Sequence, residues 1–128
     1  DGRDPHPVEK LLAAGIPVAL GTDSLASGHT LNMPETCSLA KRAHPSLAMD
    51  AILEMATRSG ARSLGFENCG VLAAGMAADF LVFDSPGARP SAAGEALEMA
   101  LFSGFRVPEL HAVAGEIHTF ADIPPLKA

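Results

Sequence analysis

Leu20-Gly21-Thr22-Asp23-Ser24 sets a carboxylate just beyond the continuously apolar run Ile16-Pro17-Val18-Ala19-Leu20. A carboxylate so placed can bind a metal ion or take up and return a proton. Thr-Asp-Ser is equally good turn chemistry, because short polar side chains hydrogen-bond their own backbone. Spacing alone leaves Asp23 open to both readings. Ser24 and Ser27 share its segment and can shape a pocket, bond a substrate or simply line a loop. His29 stands on the same loop and is a further candidate for reaching a ligand. The remaining histidines offer less: His6 lies in Pro5-His6-Pro7, His44 precedes Pro45 at a helix end, and His111 and His118 fall in β-type sequence. His6 is expected as a loop residue, and the other three as ordinary solvent-exposed histidines. No two histidines stand at HxH or HExxH spacing, so the chain carries no independent zinc motif. Cys37 and Cys69 form no CxxC pair, and the default reading is a reduced, cytoplasmic setting without a disulfide.

The elements that must hold Asp23 can be read locally. Val8, Leu11 and Leu12 stand at helical spacing over Val8–Ala14, and Gly15 suits the position just past a helix end. Ile16–Leu20 is apolar throughout rather than alternating, which predicts a short strand buried on both faces. Helix, glycine and buried strand together make the αβ half of a βαβ unit. Asp23 then falls at the strand's C-terminal end, the edge where α/β proteins bind ligands. Asn32 or Met33 leads into a second helix, with Pro34 in its first turn and Glu35 near the positive dipole end; Pro45 stops it. Ser46 is placed to cap a third helix with Ala48, Ile52, Leu53, Met55 and Ala56 on its apolar face. Thr57–Leu64 predicts one more helical turn, closed by Gly65. From Gly70 onward the pattern changes to short β-structure, with Ala78–Asp84, Phe105–Val107, Leu110–Val113 and Ile117–Phe120 as strands. Ala114-Gly115-Glu116 is a turn, Ser85–Gly94 a loop and Ala93–Phe102 a helix.

The chain has 128 residues, 48% of them hydrophobic and 19% charged, enough for one modest domain with a real core. The net charge of −6 and nine scattered basic residues leave no electrostatic footprint for nucleic acid. The apolar stretches are too short to span a bilayer. The chain opens at Asp1, with no basic segment leading into an apolar one.

Three phrases in order resemble the C-terminal part of amidohydrolase-superfamily enzymes. They are Leu11–Ser24, then Ala56-Thr57 with Gly60-Ala61-Arg62-Ser63-Leu64-Gly65, then Gly70-Val71-Leu72 with Gly75–Asp84. The similarity is to the cytosine-deaminase-like branch of aminohydrolases and chlorohydrolases that act on cyclic or nucleobase-like substrates. It covers residues 8–84 well and the rest loosely. The resemblance implies an α/β fold, the C-terminal part of a metal-dependent (β/α)8 barrel plus strands of a small β-sandwich. Residues 1–69 would be the last αβ portion of the barrel with its following helices, and residues 70–128 a β-sandwich segment with one helix. The resemblance also gives Asp23 a role, as catalytic proton carrier and metal ligand. It implies a divalent metal, zinc or iron, and a small-molecule substrate for the parent enzyme, a hydrolytic deaminase.

Much of such an enzyme is absent from these residues. A barrel takes roughly 250 residues, and the family's His-x-His pair and later metal-binding histidines have no counterpart here. A lone carboxylate does not hold a catalytic ion that needs three or more protein ligands. The chain is therefore expected to be an incomplete, inactive portion of a larger enzyme, binding no metal stably and self-associating through uncovered strand edges and apolar patches. An alternative is a non-catalytic assembly module that completes a partner barrel. A third reading is a plain α/β domain in which Asp23 only makes a turn.

Overall fold

Val8, Leu11 and Leu12 wind into α1 (Val8–Ala13), and the chain leaves it through Gly15 at a φ of 73°. That left-handed turn is the one glycine makes without steric cost. The structure, a computed structural model, describes residues 6–28, 30–83 and 108–119. His29, the expected helix Ala93–Phe102 and the expected strand Phe105–Val107 lie outside the described residues.

α2 (Met33–Ala43) begins as its sequence dictates: Asn32 Oδ1 accepts the Glu35 N–H at 2.9 Å, and Pro34 occupies the first turn. α3 (Met49–Ala56) and α4 (Arg58–Ser63) follow, and Gly65 ends α4 at a φ of 82°. Ser46 does not cap α3, contrary to expectation. Ala48 holds the cap position without a side-chain bond, and the Ser46 hydroxyl is drawn instead to the Glu9 carboxylate at 3.0 Å. Ile52, with no exposed surface, centres the core together with Val8, Cys37, Leu47, Met49 and Met55. Leu12, Val18, Leu20, Met33, Ala40 and Ala56 pack around that cluster. Both cysteines are free thiols.

The Ile16–Leu20 segment corrects the strand expected there. Among the described residues no strand lies alongside it to complete a ladder, so it is not a strand. Nor is it buried on both faces. Val18 and Leu20 reach the helical core while Ile16 is 49% exposed. A backbone without a ladder partner keeps one wet face. Its Leu20 N–H donates to the Met55 carbonyl at 2.9 Å, which ties the segment to the end of α3.

After the helices, β1 (Phe80–Val82), β2 (Leu110–Val113) and β3 (Glu116–Thr119) form an antiparallel sheet in the order β1-β2-β3. β2 and β3 pair Val113 with Glu116 across Ala114-Gly115, whose φ values of 52° and 83° match the mirror-image turn that tight hairpins favour. The Asp79 Oδ1 accepts the Ala114 N–H at 2.6 Å and fastens that turn. Gly70, at a φ of 82°, passes so close to α4 that a Cβ there would lie 2.8 Å from the Thr57 carbonyl oxygen and the Arg58 Cα. The described fold is thus mixed helix and strand with a small open sheet. Among the described residues no helix is long and apolar enough to cross a membrane.

Candidate active site

Val18 and Leu20 anchor the apolar run on the core, so the residues after Gly21 emerge from a fixed base. The backbone then turns left-handed at Asp23, whose φ is 57°. Asp is among the few residues with a side chain that visit this region. The turn folds the chain back so that two donors meet the carboxylate. The Ser24 N–H donates to Oδ1 and the Ser27 hydroxyl to Oδ2, each at 2.7 Å. The Ser24 and Ser27 hydroxyl oxygens stand 3.1 Å apart. The Gly28 N–H closes the loop on the Ser24 carbonyl at 2.7 Å. A Cβ on Gly28 would meet the Thr22 carbonyl oxygen at 2.9 Å and that of Ser24 at 3.2 Å, so the closure requires glycine's bare α-carbon.

These contacts decide the charge state. The Ser27 hydroxyl first, and the Ser24 N–H second, hold the Asp23 carboxyl below the ordinary aspartate value against a small opposing effect of desolvation. Asp23 is therefore ionised at neutral pH, and it is exposed. Its two fixed donors take part of its accepting capacity and leave the rest facing outward.

Among the described residues no group of three or more His, Cys, Asp or Glu side chains is placed to hold a metal ion. Asp23 fits a divalent ion as one oxygen ligand. His29 lies outside the described residues. The other histidines stand elsewhere. His44 corrects the expectation of an exposed residue: it is 8% exposed, and its Nδ1 lies 3.0 Å from both oxygens of Glu9. The hydroxyl of Ser46 joins the same carboxylate, so Glu9, His44 and Ser46 bind α1 to the α2–α3 connection. Glu9's own backbone N–H is the largest cause holding its carboxyl below the usual range; His44 and Ser46 add to this, and desolvation opposes it. His111 and His118 face each other across β2 and β3, half-buried, with rings stacked 5.2 Å apart. The cavity of about 590 Å³ between α2, α3 and the sheet is lined by apolar side chains such as Met33, Leu53 and Phe80, and does not include Asp23. Thr57, Asp79 and His111 are the polar side chains on its otherwise apolar lining.

The model of the amidohydrolase family matches residues 2–116. The chain is 40% identical over 85 residues to the 5-methylthioadenosine/S-adenosylhomocysteine deaminase of Dictyoglomus thermophilum, covering 61% of this chain and 20% of that protein. It is 44% identical over 92 residues to the protein of the same name from Thermococcus sibiricus, covering 65% and 22%. Among solved structures, the zinc-complexed E241Q mutant of the atrazine chlorohydrolase TrzN from Arthrobacter aurescens TC1 superposes with a TM-score of 0.74 at 27% identity, covering 95% of this chain and 29% of that one. E. coli guanine deaminase gives a TM-score of 0.69 at 25% identity, covering 86% and 29%. The chain spans about a fifth of the length of the curated relatives it matches. The chain belongs to the amidohydrolase family.

Proposed function

We propose that this chain is the C-terminal portion of a metal-dependent amidohydrolase barrel whose complete form deaminates a nucleobase-like ring by hydrolysis. The observation that carries the reading is Asp23: ionised, exposed and clamped by two neutral donors at the end of the apolar run. The names of the matched deaminases support the reaction type and make an adenine-containing thioether nucleoside the first substrate class to try. On this reading Ile16–Leu20 becomes the last barrel strand once neighbouring strands flank it.

A divalent ion, zinc or iron, lowers the pKa of a water from about 15.7 toward about 7. Asp23 would be one of its ligands, the others coming from parts of the whole protein outside the described residues. Asp23's own work is proton transfer. Its carboxylate would accept one water proton as the oxygen bonds to the ring carbon and the C=N electron pair moves onto the adjacent ring nitrogen. It would then give that proton to the amino nitrogen, which leaves as ammonia, while the second water proton ends on the ring nitrogen and the carbon becomes a carbonyl. A carboxyl held below the ordinary range enters the cycle ionised and surrenders its proton readily.

The test is ammonia release by the whole zinc-loaded protein from 5-methylthioadenosine, S-adenosylhomocysteine and guanine. We expect turnover of at least one adenine nucleoside, lowered about 10²- to 10⁴-fold by Asp23→Ala. No ammonia from any of the three overturns the deaminase reading, and an unchanged rate for Asp23→Ala overturns the residue's role.

By itself the chain is proposed to be inactive and to associate with further copies, because Ile16, Leu25, Leu31, Leu64 and Leu72 are all exposed. Sedimentation at rising concentration checks this; a monomer throughout overturns it.

A further inference from the structure

We propose that Ser27 is a positioning residue for Asp23, its hydroxyl fixing the plane of the carboxylate toward the metal and substrate side. The inference rests on the reading of Asp23 given above. The terminal torsion of an aspartate is broad and nearly two-fold, so one donor leaves the carboxylate free to swing. Here the two oxygens are held separately, Oδ1 by the Ser24 N–H and Oδ2 by the Ser27 hydroxyl, both at 2.7 Å. A serine has a single O–H to give. With that proton on Asp23, the Ser27 oxygen can only accept from Ser24 at 3.1 Å, so the order runs Ser24 to Ser27 to Asp23. Bonds in such a chain polarise and strengthen one another.

The choice of donor points to use rather than to turn-making alone. A lysine or arginine in Ser27's place would orient the carboxylate but neutralise it and repel a cation. A hydroxyl and an amide orient it and leave its negative charge available. The loop is also built to deliver this contact. Asp23 takes a left-handed φ of 57°, and Gly28 closes the turn where no Cβ fits. Groups that orient a metal ligand from behind typically contribute 10- to 100-fold in affinity or rate.

The experiment compares Ser27→Ala, Ser27→Thr and Asp23→Ala in the whole protein. It measures zinc affinity by competition with a chelator, kcat and KM for 5-methylthioadenosine, and the midpoint of thermal unfolding. Ser27→Ala should weaken zinc binding or lower kcat about 10- to 100-fold, with KM and the unfolding midpoint little changed. Ser27→Thr, which keeps the hydroxyl, should recover most of the loss. If Ser27→Ala matches the wild type in zinc affinity and kcat while Asp23→Ala loses both, the positioning role is wrong and the reading of Asp23 stands. If Ser27→Thr fails to rescue, the hydroxyl is not the operative group and the proposal falls. If Asp23→Ala itself leaves zinc affinity and kcat intact, the underlying reading fails and takes this inference with it.

Discussion

Asp23 and Glu9 are both carboxylates that accept a serine hydroxyl, yet the side chains they meet are drawn from different distances. Asp23's partners lie one and four residues along the chain; Glu9, besides its own backbone N–H, meets side chains 35 and 37 residues away. The first network needs only six consecutive residues and a left-handed turn. The second exists only when the helical core has brought α1 against the connection between α2 and α3. Glu9, half-exposed itself, engages a buried histidine and a serine. Asp23 is oriented by neutral groups and keeps its charge facing out. One carboxylate is occupied in holding the fold together, and the other is held ready.

That contrast can be broken most directly at Gly28. Gly28→Ala forces a Cβ within 2.9 Å of the Thr22 carbonyl oxygen, so the turn must open and Ser27 must move. Steady-state kinetics on the whole protein should show kcat down by about tenfold or more, with the unfolding midpoint barely shifted. The opposite signature belongs to His44→Ala, which leaves Glu9 without its buried partner. Denaturant unfolding should show a loss of about 1–2 kcal/mol, while the zinc affinity of the whole protein stays at the wild-type value. A smaller loss, about 1 kcal/mol, is expected for Asn32→Ala, which removes the α2 cap. Being local like the Asp23 loop but structural like the Glu9 network, it calibrates both. Smallest is the acid limb of stability. Glu9's folded-state pKa is depressed, so its contribution is complete above the ordinary glutamate range and fades as pH falls through the depressed value. Glu9→Gln should flatten that part of a stability-against-pH curve, and an unaltered curve would show the network is idle.

The same difference in scale explains what could be read from the chain before its structure. Signals that act within a few residues were legible: Gly15 past α1, Asn32 with Pro34 and Glu35 at the start of α2, Gly65 after α4, and Ala114-Gly115 between β2 and β3. Asp23 stood out because a polar triplet follows an apolar run. What failed needed partners distant in sequence or absent from the described residues. Ile16–Leu20 has strand composition, but a strand is defined by its neighbour, and none of the described residues forms one beside it. Ser46 is a good cap by type, and Glu9 outbids the helix end for its hydroxyl. His44 looked exposed because nothing nearby in sequence announces a carboxylate 35 residues earlier. Ser27 was visible as a polar loop residue, but its bond to Asp23 depends on a backbone conformation that its own neighbourhood only permits.

Gly70 carries a further consequence. Its α-carbon rests against the backbone of Thr57 and Arg58, so the helices and the β-portion meet there main chain to main chain. Spacing set by side chains can be retuned by exchanging one apolar residue for another. Spacing set by backbone contact cannot. Variation in α3 or in the sheet can therefore accumulate without altering how far apart the two parts stand at this junction, whereas any side chain at position 70 would have to pry it open. The joint behaves as a fixed gauge, and the tolerance of the residues around it follows from the intolerance of this one.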